Sequence, residues 1–208
     1  MTSDTAKWAA PKGRVSRQDA EKALIDAVIK LADTTPLADI TIHELAHEAG
    51  VNFGYINRYF ESRLNLFAAA SDELADRGLD QVRNITSTAK TVDGPKSKDL
   101  SQADLQTSRQ VLIPIGVKRL MIVQFLVSSG VPAERFVKKS QEVLEASVEA
   151  TSQAGLEPEI ARARIIHGIA MMWSAATLGP ILGLTSQELY DSYALFFATV
   201  TATEKPSK

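Results

Sequence analysis

The 208-residue chain contains no cysteine. Disulfides and thiolate metal sites are therefore excluded, and the composition suits a reducing cytoplasm, the expected location. An excess of one charge sign is also missing. Lys and Arg total 23 against 25 Asp and Glu, a net charge of −2. The first 65 residues carry eight basic and nine acidic side chains. Nothing in bulk charge advertises a polyanion partner, so any nucleic-acid binding must come from local charge placement. Long apolar runs are absent too. The longest, "GIAMMWSAATLGPILGL" at 168–184, contains Gly-Pro and falls short of the ~20 residues of a membrane span. Residues 1–17 lack the apolar core of a signal peptide. No membrane partner is expected.

What is present is helical pattern throughout, with an apolar fraction of 45%. Strand alternation, internal repeats and low-complexity tracts are not seen. Residues 1–15 read as a loose, mildly basic arm. Ser16 is a good N-cap, and Ala20, Leu24, Ala27, Val28 and Leu31 form an apolar stripe that Asp33 to Pro36 terminate. "TIHE" at 41–44 is a capping box opening a short helix that Gly50 stops. A second short helix is expected over roughly 52–58. Ser62 caps a long one, 63 to about 90, followed by a loop at 91–99. Further helices are expected near 101–109, 115–129, Pro132 to 154, 158–178 (ended by Gly179-Pro180) and 186–203. "TSQE" at 185–188 is a second capping box, and Leu189, Tyr193, Phe196 and Val200 line one face of the last helix. The fold class is all-α.

One string raises a competing reading. "HELAHEAGVNF" at 43–53 opens with H-E-x-x-H, the zinc-protease signature, in which two histidines one turn apart share a metal and the glutamate is general base. A third ligand is wanting. The metzincin spacing puts Phe53 there, and the remaining histidine, His167, lies more than a hundred residues away. Gly50 also ends the helix early, and Glu44 is already assigned to the cap. A helix-turn-helix accounts for more of the residues. Ala46 is small where a second helix crosses, Gly50 can take the left-handed turn conformation, and Leu45, Val51 and Ile56 supply the apolar lock. His43 and His47 then face solvent or DNA. No metal and no cofactor are expected.

Residues 16 to 67 resemble the tetracycline-repressor family of transcriptional regulators. The resemblance rests on "TIHELAHEAGVNFGYINRYFESRLNLF", with Thr41, Leu45, Ala46, Ala49, Gly50, Val51, Ile56, Tyr59, Phe60, Ser62 and Leu66 at the characteristic positions. Asn52 replaces the usual Ser or Thr, Arg63 replaces the usual lysine, and Asn57 stands where a phosphate-contacting tyrosine is common. The motif covers about a quarter of the chain. The resemblance implies an N-terminal arm and helix-turn-helix DNA-binding domain at 1–61, and a helical ligand-binding and dimerisation domain at 62–208.

It further implies that the second short helix enters the major groove of a double-stranded DNA operator. Asn52, Phe53, Tyr55 and Arg58 would reach base edges, with Gly54 permitting close approach. For Phe53 and Tyr55 packing within the domain is the rival role. Thr41, Tyr59 and Arg63 would contact phosphate. Lys12, Arg14 and Arg17 either reach the DNA backbone or form a solvated arm. An unknown small-molecule effector would be lined by Met121, Phe125, Phe136, Met171, Met172 and Trp173, each of which could equally be plain core. Arg162, Arg164 and His167 are polar handles, or else surface ion pairs and a core imidazole. The last two helices would pair two copies as a homodimer. The resulting expectation is a ligand-released repressor. Its rivals are an activator or ligand-independent regulator, a metallohydrolase through HELAH, and a helical adaptor.

Overall fold

A computed structural model describes residues 16–91, 111–153, 156–185, 188 and 191–192, with backbone alone at 85–91, 175–176 and 178–180. Among these residues the chain forms seven helices and no strand. They are α1 (Arg17–Leu31), α2 (Ile42–Glu48), α3 (Gly54–Phe60), α4 (Arg63–Thr91), α5 (Ile113–Ser128), α6 (Glu134–Gln153) and α7 (Pro158–Leu182). Lys12, Arg14, the expected helix at 101–109 and most of the expected helix at 186–203 lie outside the described residues.

The chain divides into two compact units. The first holds the residues up to Arg77 together with 118–140, and the second holds 78–117 and the residues from Gln141 onward. The division thus falls inside α4, and not at the start of that helix, where the 61/62 domain boundary was expected.

In the first unit, Ser16 caps α1, its Oγ accepting from the Asp19 amide at 3.1 Å. Ala20, Leu24, Ala27 and Val28 are buried on one face of α1, as the stripe predicts, while Leu31 is only half-buried. That face packs on α2 and α3. Ile40, Leu45, Ile56, Leu66 and Phe67 are wholly buried and complete the core. Each contributes about 1.5–3 kcal/mol of transfer free energy. Ion pairs tie α1 and the turn after it outward: Lys30 to Glu48 on α2, Asp26 to Arg77 on α4, and Asp33, in that turn, to Lys118 on α5 at 2.6 Å. Exposed pairs of this kind add no more than about 1 kcal/mol each. They orient the helices more than they stabilise them.

In the second unit, α7 runs to Leu182, through the Gly179-Pro180 expected to break it. Pro180 falls in the last turn, where its missing N–H removes a single helical bond. Gly183, at φ +68°, supplies the left-handed residue that stops the helix. The second capping box then forms as expected. The Thr185 amide donates to Glu188 Oε2 at 2.7 Å and the Glu188 amide to Thr185 Oγ1 at 3.2 Å. Arg162 pairs with Glu145 at 2.5 Å. His167 is exposed, and so is not a core imidazole. Its Nδ1 lies 2.8 Å from the Ala163 carbonyl, to which it donates in the matching tautomer.

Candidate nucleic-acid interface

The path from α2 to α3 is fixed by local hydrogen bonds. Thr41 donates its amide and its hydroxyl to Glu44 Oε2, both at 2.8 Å, and Thr41 Oγ1 accepts from the Glu44 amide at 3.2 Å. These bonds stabilise the ionised carboxylate and hold the Glu44 pKa below the ordinary glutamate value. At the far end Gly50 takes φ +66°, and the Val51 amide reaches back to the Ala46 carbonyl at 3.0 Å. This is the reversal that only glycine enters without strain. Leu45, Ala46, Val51 and Ile56 are all buried, locking α3 in place.

Helix α3 starts two residues later than expected. Asn52 Oδ1 accepts from the Gly54 amide at 2.8 Å, a local turn that keeps residues 52 and 53 out of the helix. The helix ends at Glu61, which adopts φ +65°. Asn52, Phe53, Asn57 and Arg58 are exposed on the side opposite buried Ile56, while Gly54, Tyr55 and Tyr59 are half-buried. Phe53 remains 46% exposed although its ring lies 4.9 Å from that of His43. It is a partly supported, outward-facing ring and not a core residue.

Beside this face is a cluster that sequence reasoning did not assemble. The Tyr55 and Tyr59 rings are 5.1 Å apart, and the Tyr59 ring is approached by the Arg17 guanidinium at 5.4 Å and by that of Arg58 at 5.7 Å. Arg17 also pairs with Glu21 at 2.7 Å. Forty-two positions separate Arg17 from Tyr59, so no local spacing could have joined them. The arrangement brings two cations to one aromatic ring at the rim of α3.

Two residues expected at phosphate are otherwise engaged. Arg63 Nη1 donates to the Ala38 carbonyl at 3.1 Å and to that of Ile40, and its guanidinium lies over the Phe67 and Phe125 rings at 5.7 and 5.9 Å. Thr41 has given both its donors to Glu44, so an approaching phosphate meets a carboxylate there. Ser62 Oγ likewise accepts from the Asn65 amide at 3.1 Å.

The H-E-x-x-H string lines a shallow hollow formed by Leu31, His43, Glu44, His47 and Glu48. Glu44 is held by Thr41 and Glu48 by Lys30. Among the described residues no group of three or more His, Asp or Glu is arranged to hold a metal ion.

The six residues expected to line an effector divide between the units. Met121, Phe125 and Phe136 fall in the first, and Met171, Met172 and Trp173 in the second. Within the first they do not share one surface. Met121 is exposed, Phe136 is buried, and Phe125 packs 5.6 Å from Phe67 beneath Arg63. Met171 and Met172 are half-buried and Trp173 is exposed. No helix among the described residues is long and apolar enough to cross a membrane.

No sequence-family profile matches the chain, and no curated protein matches it. Among solved structures it is similar to a TetR transcriptional regulator from Rhodococcus sp. RHA1. The identity is 22%, the match covers 77% of this chain and 86% of that one, and the TM-score is 0.46.

Proposed function

We propose that the protein is a DNA-binding transcriptional regulator whose α3 reads the major groove. One observation carries the reading: a locked helix-turn-helix presents Asn52, Phe53 and Arg58 to solvent while Ile56, on the opposite face, is wholly buried. Asn pairs with adenine, Arg with guanine, and an aromatic ring can touch a thymine methyl. Arg17 and Tyr59, held beside Arg58, replace Arg63 and Thr41 as the group suited to flanking phosphate. Such a helix fits one groove segment, and a second copy about 34 Å away would read the other half of a palindromic operator. Exposed Ile166, Ile181 and Leu182 on α7 favour that homodimer, because large apolar side chains left at the surface of one helix suit a partner's apolar face. Release by a small-molecule effector, and hence repression, belongs to the same proposal, with Met121, Phe125 and Phe136 or Met171, Met172 and Trp173 as candidate lining.

The test is fluorescence anisotropy on operator fragments selected from random duplex DNA. Wild-type protein should select a palindrome and show steep salt dependence. Arg58→Ala should weaken the selected site by about 1–3 kcal/mol and relax preference at one base pair per half-site. Failure to enrich any sequence, with no salt-dependent retention of duplex DNA, would refute the reading.

A further inference from the structure

Arg119 lies on α5 with 8% of its surface exposed, and it makes no ion-pair contact with a carboxylate among the described residues. Its Nε donates to the Ser71 carbonyl at 3.2 Å and its Nη2 to Ser140 Oγ at 3.1 Å. Both acceptors are neutral. A guanidinium carries five N–H donors. The Nη1 end of the fork therefore has no acceptor among the described residues. Asp72 and Asp76 are near enough to act on Arg119 electrostatically, but each is engaged elsewhere: Asp72 with Arg135 at 3.7 Å, Asp76 with Lys139. Asp72 thus feels Arg135, Arg119 and Lys139, while Arg119 itself has no carboxylate in contact among the described residues. Burial lowers the Arg119 pKa and raises that of Asp72, so both groups register the cost of charge at this position.

A second, independent feature lies at the same place. Ser71 is wholly buried, and its Oγ has no hydrogen-bond partner among the described residues. Several helical hydroxyls bond the carbonyl one turn back, as Ser147, Thr151, Ser174 and Thr177 do, while buried Ser152 Oγ, like Ser71 Oγ, has no partner among the described residues. Ser71 makes no such bond. A buried hydroxyl left unpaired costs free energy that an incoming acceptor would recover.

We infer that Arg119, flanked by Ser71 and Ser140, is the recognition point for a small monocarboxylate. Arg119 brings one positive charge whose acceptors, the Ser71 carbonyl and Ser140 Oγ, are neutral, and one negative charge balances it, whereas a phosphate dianion overshoots. The two oxygens of a carboxylate match the free end of a guanidinium fork, and the Ser71 hydroxyl offers a further donor. The site is formed by elements of the first unit alone, and its existence does not depend on DNA. Its description as the effector site rests on the function proposed above.

The experiment is calorimetric titration of the full chain, free of DNA, with benzoate and octanoate, with benzamide and octanamide, and with inorganic phosphate. The expected result is that at least one carboxylate binds more tightly than its own amide, on the order of tenfold, and more tightly than phosphate. Arg119→Lys keeps the charge but loses the fork, and should weaken binding by a similar factor. Ser71→Ala removes a hydroxyl that has no partner among the described residues, so it should fold normally and bind several-fold more weakly. Equal affinity for acid and amide, no binding of either acid at millimolar concentration, phosphate binding as tightly as the acids, or unchanged binding by both variants would each overturn the inference. DNA binding, measured separately by anisotropy, would stand or fall on its own result.

Discussion

Arg63 separates a structural role from a DNA-binding one by magnitude. Removing its guanidinium deletes one part-buried bond to the Ile40 carbonyl, a more exposed bond to that of Ala38, and two ring contacts. Hydrogen bonds to a charged group are worth about 1.5–3 kcal/mol, and a cation over an aromatic ring about 0.5–1 kcal/mol at exposed sites. The Ala38 carbonyl can turn to water, so only part of its bond is lost. The Ile40 residue is wholly buried, and its carbonyl has no such recourse. Arg63→Ala should therefore destabilise the fold by about 2–4 kcal/mol. Arg63→Lys should cost roughly half as much, because an ammonium can reach one carbonyl but cannot lie flat over two rings. Urea denaturation followed by circular dichroism reads this as a lower midpoint at constant slope. A phosphate contact would leave another signature: a salt slope of DNA binding reduced by about one. A variant with wild-type urea midpoint and a reduced salt slope would show that Arg63 serves DNA and would refute the assignment.

Three further outcomes are expected. The folded-state pKa of Glu44 is depressed, so its stabilisation is complete above the ordinary glutamate pKa and is lost as pH falls through the lower folded value. Glu44→Gln should flatten the acid limb of a thermal-stability profile, and an unaltered limb would argue against the cap. Ile181 is 78% exposed on α7, and Ile181→Glu should convert a sedimenting dimer to monomer without lowering helix content; dimers at unchanged affinity would place the interface elsewhere. Gly78 lies inside α4, and a methyl group there would meet nothing nearer than Ile115 Cγ2 at 3.9 Å, so Gly78→Ala should raise stability by about 0.5–1 kcal/mol in urea titration, and a loss would show that the position needs glycine.

The legible parts of the chain are those whose causes are local. Both capping boxes, the Ser16 and Ser62 caps and the Gly50 reversal depend on residues three to five apart, and the structure forms each one. The start of α3 was misjudged by two residues because Asn52 serves as a turn former, a choice its side chain makes against the helix. The end of α7 differs from the expectation: the helix carries the cost of Pro180 and stops only at Gly183, whose φ of +68° ends it. Long-range placement left no mark in the spacing. Nothing in the sequence shows that Arg63 meets the carbonyls of 38 and 40, that Arg17 meets Tyr59, or that Phe125 packs on Phe67. The apolar residues offered as a ligand lining share composition with any core, so nothing in their identity separates the two roles.

The fixings along α4 also bear on how a regulatory signal could act. Its first turn is held through Arg63 to the segment between α1 and α2, and its fourth through Arg77 to Asp26 on α1. Phe67 and Leu66, between these points, are wholly buried. Tilting this part of α4 against the reading helix would break the Arg63 contacts at about 2–4 kcal/mol and disturb a packed core besides. Allosteric couplings are typically about 1–3 kcal/mol, and an effector can shift an equilibrium only by its difference in affinity for the two states. The core disturbance lifts the total above that range, so the first four turns of α4 move with α1, α2 and α3 as one body. Any yielding of the helix then falls beyond Arg77, where Gly78 lowers the cost of departing from helical geometry. Under the proposed function, release from DNA accordingly changes the spacing between two intact reading heads and leaves the conformation of each head as it is.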